Sequence, residues 1–166
     1  MSSEQTVTRV FSHLLRRFPF IVRLPYLAYS RMQARYTIGV AAVIMDGDGR
    51  VLLVEHAYHP RFAWGLPGGW IDKDEDPSAA ILRELSEELQ LNARVLRVVH
   101  SSKTAPNHID LAFQCEALSP IGKLNHELLG FQWAARDDLP AVKRFHRQAI
   151  EFAGERFQGG EEWERV

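Results

Sequence analysis

The chain carries a single cysteine, Cys115, in 166 residues, which excludes an intramolecular disulfide and any cysteine-based metal spacing. Cys115 falls in an apolar run, where a buried, unreactive thiol is expected. No uninterrupted apolar stretch approaches the roughly 20 residues that a membrane-spanning helix needs, so no span is expected. Arg16, Arg17, Pro19, Arg23 and Pro25 break up the apolar residues near the N-terminus, leaving no clean signal-peptide core. These absences point to a reducing, cytoplasmic setting. There is no internal repeat, and the charge imbalance is small, with a net charge of −1. With 46% hydrophobic and 25% charged residues, the composition is that of one ordinary globular domain with one core.

The small net charge conceals an asymmetry. Residues 1–36 hold Arg9, Arg16, Arg17, Arg23, Arg31 and Arg35 against one acid, Glu4, giving +5, and the remainder carries −6. Such an arm can meet phosphates, an anionic surface or the acidic body itself. Val10, Phe11, Leu14, Leu15 and Phe18 share one face of a predicted helix over residues 8–18. That stripe could be buried on its own domain or across a symmetric homodimer. Pro19 and Pro25 are expected to break the following chain into short pieces. The organisation reads as a basic helical extension (1–36), a catalytic-sized domain (37–154) and an acidic tail (155–166).

Within the middle segment, Thr37 to Met45 is a β-rich apolar run and Val51 to Ala57 a returning strand. Asp46-Gly47-Asp48-Gly49 supplies the turn between them. Leu66-Pro67-Gly68-Gly69 reads as a loop where backbone can approach a ligand. A helix is predicted from an Asp76 N-cap, with Pro77 at its first position, to about Leu89. Val95 to Lys103 and Ile109 to Ala117 read as strands flanking Ala105-Pro106-Asn107, followed by a strand over Leu129 to Ala135. A last helix is expected from Leu139-Pro140 to about Phe152. Strands with two packed helices describe an α/β protein, an α/β/α sandwich around a mixed β-sheet.

The chemistry lies on the first of those helices. Glu84 and Glu88 are one turn apart, and Glu87 adjoins them on the same stripe. A solvated acidic face is one reading of such a run. The other is a cation held between the carboxylates, and oxygen ligands of this kind select hard ions, Mg²⁺ first, with Mn²⁺ or Ca²⁺ as substitutes.

Gly69, Glu75, Arg83, Glu84, Leu85, Glu87, Glu88 and Leu91 fall on the pattern G-x5-E-x7-R-E-U-x-E-E-x-G-U, with U a bulky aliphatic residue. Eight of nine specified positions match, and here the chain resembles the Nudix hydrolases. The departure is Gln90, where that family has the glycine that would end the helix in a left-handed turn. The resemblance implies Mg²⁺-dependent cleavage of a pyrophosphate bond in a nucleoside diphosphate linked to another moiety. A nucleotide sugar, ADP-ribose or a noncanonical triphosphate are the candidate substrates. It implies metal binding by Glu84, Glu87 and Glu88, with a backbone carbonyl at Gly68 or Gly69 completing the set, and support of these carboxylates by Glu75.

Arg83 points about 100° away from the Glu87/Glu88 edge and is expected to hold Glu84 or Glu75. Glu127, just before a strand, is the candidate general base outside the motif, and an ordinary loop acid otherwise. Phe62, Trp64 and Trp70 flank the metal loop and can stack on a base or pack the rim. His56, Tyr58, His59 and Arg61 form a polar cluster in which Arg61 can pair with a phosphate. Pro106 lies near a position where ADP-ribose-cleaving relatives carry a proline, yet a turn explains it equally. Two other functions stay open: removal of pyrophosphate from an RNA 5′ end, which the basic arm would serve, and a non-catalytic nucleotide-binding regulator.

Overall fold

The computed structural model describes residues 20–58 and 62–154. The expected helix over residues 8–18, the candidate Arg61 and the tail from residue 155 lie outside the described residues. Backbone contacts divide the chain into two units, residues 1–35 and 36–166. In the first, α1 spans Phe20–Met32. The expectation that Pro25 breaks the chain is corrected here. Pro25 lacks one N–H and forfeits one intrahelical bond, but the helix runs through it. Tyr26, Tyr29 and Met32 of α1 are largely exposed.

The second unit is an α/β/α sandwich built on two sheets. The elements are β1 (Thr37–Ile44), β2 (Val51–His56), β3 (Trp64–Gly65), β4 (Gly68–Trp70), α2 (Pro77–Leu89), β5 (Ala93–Ala105), β6 (His108–Ala117), β7 (Leu128–Ala134) and α3 (Arg144–Gly154). One sheet has the order β4-β1-β6-β5, and the other β3-β2-β7. In the first, β1 and β6 run parallel while β4 on β1 and β5 on β6 run antiparallel, so this sheet is mixed. Of the segment read as a loop, Leu66 and Pro67 join two short strands, β3 and β4, and Gly68 and Gly69 belong to β4. Elements of two and three residues are too short to show a period and form because β2 and β1 offer open edges.

The central strands are apolar on both faces because each face has its own helix. Val40, Ala42 and Ile44 of β1 join Leu52 and Val54 of β2 in a core with Ile81, Leu85 and Leu89 of α2. Ala41, Val43, Val51 and Leu53 point the other way, onto Phe145, Ala149 and Ile150 of α3. Cys115 is buried in the α2-side core, and burial pushes its thiol up to about 12.

α2 begins where its capping chemistry says. Asp76 accepts from the N–H groups of Ser78 (2.8 Å) and Ala79 (3.3 Å), with Pro77 following. It ends at Gln90, which adopts the left-handed conformation (φ 48°, ψ 38°) without being glycine. Gln90 Oε1 accepts from Lys123 N–H (3.2 Å), a local contact that offsets part of that strain. α3 starts at Arg144 rather than at Leu139, which corrects the expected boundary. Leu139 and Val142 belong to the α3-side core, so their apolar character serves a packed connection before the helix. Pro106 and Asn107 form the β5–β6 turn, with Asn107 at φ 54°. Among the described residues no helix is long and apolar enough to cross a membrane.

Candidate active site

Gly68, Gly69 and Trp70 lie on the edge strand β4, and α2 packs against that strand. A side chain at residue 69 would run into the carboxylate of Glu84, so glycine is what lets α2 set a carboxylate against the strand backbone. Gly68 N–H donates to Glu88 Oε2 (3.0 Å), and Glu88 is only 4% exposed. Burial, together with the charges of Glu84, Glu127 and Glu87, pushes its carboxyl up to about 8 against the Gly68 hydrogen bond. Burial is also the main reason that Glu84 sits above the ordinary carboxylate range, with Glu87 and Glu127 adding repulsion against the hydrogen bond from Arg83.

Glu127, 39 residues beyond the helix stripe in sequence, adds its negative charge to those that raise Glu84 and Glu88. Its position follows from the start of β7. Its N–H donates to Asn125 Oδ1 (3.0 Å), and its carbonyl accepts from Ala57 N–H (2.9 Å) at the end of β2. Of these acids, Glu84 and Glu88 lie directly against the glycines of β4.

Arg83 supplies the cation within this cluster. Its Nε and Nη2 donate to the two oxygens of Glu75 (2.9 and 3.0 Å), and Nη1 donates to Glu84 (2.9 Å). Nη2 also donates to the Trp70 carbonyl (3.0 Å), tying α2 to β4. Hydrogen bonds from Arg83 hold Glu75 below its usual range, and Glu75 raises Arg83 in return. Arg83 Nη1 also donates to Glu87 (3.3 Å), which corrects the expectation that Arg83 points away from the Glu87/Glu88 edge, since residues four apart share a stripe.

Among the described residues no three His, Cys, Asp or Glu side chains already stand close enough to hold an ion. The geometry says why. Arg83 draws Glu84 and Glu87 toward itself, and Gly68 N–H holds Glu88. The donor set nonetheless suits a hard divalent cation. It is all oxygen, it includes two carboxylates destabilised by burial and mutual repulsion, and the missing Cβ of Gly69 opens the backbone beside Glu84.

Beyond β4 lies a cleft of about 860 Å³, lined in part by Phe62, Trp64, Gly68, Gly69 and Trp70. Both candidate tryptophans therefore flank one space, with Trp64 half-buried against the α3-side core and Trp70 exposed. Reading the chain alone did not single out His108, Asp110, Lys143 or Arg144, which line the same cleft from β6 and the start of α3. The legible signal was the His108-x-Asp110 spacing, which puts both side chains on one face of a strand, together with Gly39 inside an apolar strand.

Comparison with known proteins identifies a family. The family model described as the NUDIX domain matches residues 35–153. The chain is similar to a MutT-like protein of Streptomyces ambofaciens, with 28% identity over 63% of this chain and 67% of that protein. It is also similar to an RNA pyrophosphohydrolase of Roseobacter denitrificans, with 39% identity over 48% of this chain but only 43% of that protein. Among solved structures, the MutT NUDIX hydrolase from Burkholderia pseudomallei superposes with a TM-score of 0.64 at 27% identity, covering 70% of this chain and 97% of that one.

Proposed function

Since the chain belongs to the Nudix hydrolase family, we propose that it hydrolyses a pyrophosphate bond in a nucleoside diphosphate linked to another moiety, with Mg²⁺ as the metal. One observation supports the reading: the stripe of α2 that bears Glu84, Glu87 and Glu88 packs on the glycine edge of β4, with Glu84 against Gly69 and Glu88 on Gly68 N–H, beside a cleft large enough for a nucleotide. Mg²⁺, or Mn²⁺ in its place, would be held by Glu84, Glu87, Glu88 and the Gly69 carbonyl, and would neutralise the phosphate oxygens and acidify a bound water.

The protein's own groups do the rest. Glu127, on the loop before β7, would take the water proton as general base. Arg83 fixes Glu84 and Glu75 through three short hydrogen bonds, so the carboxylates keep their places when charge moves. The Gly68 N–H holds Glu88 beside the glycine edge of β4. Trp64 and Trp70 offer aromatic surface to the substrate within the cleft, and Arg61, outside the described residues, stays the candidate for a phosphate contact. The chain acts in a cytoplasm, on a small nucleotide.

Removal of pyrophosphate from an RNA 5′ end is the second reading. It is favoured by the relative named RNA pyrophosphohydrolase and by the +5 arm. The test is a panel of nucleotide sugars, ADP-ribose, nucleoside triphosphates and 5′-triphosphorylated RNA, incubated with Mg²⁺ and analysed for products. Release of a nucleoside monophosphate from a small substrate is expected. Turnover confined to RNA moves the second reading ahead, and no turnover of any compound refutes both.

A further inference from the structure

One row of residues crosses the sheet that floors the cleft. Trp70 on β4 is in register with Gly39 on β1, Gly39 with Asp110 on β6, and Asp110 with Ser102 on β5. Strands lie about 4.8 Å apart, so Trp70 and Asp110 stand roughly 10 Å from each other at the backbone, with no side chain between them. The absence at Gly39 is required. A Cβ there would collide with Asp110 Oδ1 and come within 3.3 Å of His108 Nε2. Asp110 therefore leans across Gly39 toward Trp70. Glycine weakens a strand interior, a cost that an apolar floor would not incur.

The carboxylate is locked in that pose. His108 Nε2–H donates to Asp110 Oδ1 (3.1 Å), and Thr104 Oγ1–H donates to Oδ2 (2.5 Å). The other ring nitrogen of His108 lies 2.8 Å from Thr37 Oγ1, so the imidazole is fixed at both ends. His108 also supports Trp70, with ring centroids 4.7 Å apart. Trp70 nonetheless stays 61% exposed, which leaves aromatic surface open beside a carboxylate whose side chain is 26% exposed. Each carboxylate oxygen keeps a lone pair for one more donor.

A fixed carboxylate on the wall of a cleft repels phosphates, so it suits a neutral part of the substrate that carries N–H donors. Lys143 and Arg144, which line the cleft as well, suit the phosphates. We propose that Trp70 and Asp110 form the nucleoside subsite, with the base stacked on Trp70 and two adjacent N–H donors on its edge bound by Asp110. Guanine presents such an edge. Hypoxanthine lacks the amino group, and uracil offers one imino donor between two carbonyls. The favoured substrate is then a guanine nucleoside diphosphate derivative. This deepens the hydrolase reading of the previous subsection and rests on it. His108 and Thr104 act as positioning residues.

The test is equilibrium binding of GMP, IMP and UMP to the full chain by calorimetry, which needs no turnover. Loss of one hydrogen bond to a charged acceptor predicts that GMP binds about 10-fold or more tighter than IMP. In Asp110→Asn, with unfolding monitored to confirm the fold, that ratio should shrink to within about threefold. Trp70→Ala should weaken all three ligands together, and the guanine substrate's KM should rise more than its kcat falls. Equal affinity for GMP and IMP overturns the proposal, and so does a preference that survives in Asp110→Asn. The two levels fail separately: hydrolysis without base preference removes only the subsite, whereas guanine-selective binding without hydrolysis of any pyrophosphate removes only the activity.

Discussion

Glu88 makes metal-free stability fall as pH rises. The group is 4% exposed, and its carboxyl is pushed from 4.5 up to about 8 by burial and three neighbouring acids. Between those two values the unfolded chain has released this proton while the folded chain keeps it, so the native state binds more protons and stability drops with increasing pH. The contribution is fully present below pH 4.5 and is lost as pH passes through about 8. At 1.36 kcal/mol per pH unit the span corresponds to roughly 5 kcal/mol, and water entering the edge of the site reduces this to about 2–4 kcal/mol. For a domain of this size that amounts to roughly 10 °C in Tm. The assay is thermal unfolding from pH 5 to 8.5 in chelator, repeated with Mg²⁺. Mg²⁺ should raise Tm more at pH 8 than at pH 5.5, because a cation favours the ionised carboxylates. Glu88→Gln removes the titration, so its metal-free Tm at pH 8 should exceed that of the parent chain even as activity is lost. Every other titratable group is common to both proteins, so the comparison isolates Glu88. A parent chain and Glu88→Gln with parallel pH profiles would refute the reasoning.

Glu87 is more than half exposed at its side chain, so Glu87→Gln should fold normally while kcat falls by about 100-fold or more; undiminished turnover in the folded variant sinks its role as a metal ligand. Gly69→Ala places a methyl in the space of the Glu84 carboxylate, and Mg²⁺ affinity, titrated through activity and calorimetry, should weaken at least about 10-fold. At residue 90, glycine would relieve the left-handed strain by about 1 kcal/mol but lose the hydrogen bond from Lys123 N–H. Gln90→Gly should therefore lie within about 1 kcal/mol of the parent chain in urea unfolding, with unchanged Mg²⁺ dependence; a larger loss means that the Lys123 contact dominates.

The motif carried most of what could be read without coordinates, because its determinants are local. Asp76 and Pro77 cap α2 through bonds to residues two and three positions away, and the 3.6-residue period alone puts Glu84, Glu87 and Glu88 on one stripe. The two-sided apolar pattern of β1 and β2 likewise announced strands buried between layers. Edge strands β3 and β4 were not legible, since strands of two and three residues owe their form to a partner's open hydrogen-bonding groups. Nor was the start of α3, because Leu139 and Val142 bury apolar surface without being helical. Glu127 could be named as a candidate, but only the packing of the loop before β7 against the end of β2 fixes its backbone. The same holds for the cleft. Trp70, Gly39 and Asp110 are separated by 31 and 71 residues along the chain, and what aligns them is the register of three strands. Local spacing thus determined the carboxylate stripe. The tertiary structure decided what faces it, because strand pairing places side chains by register and not by distance along the sequence.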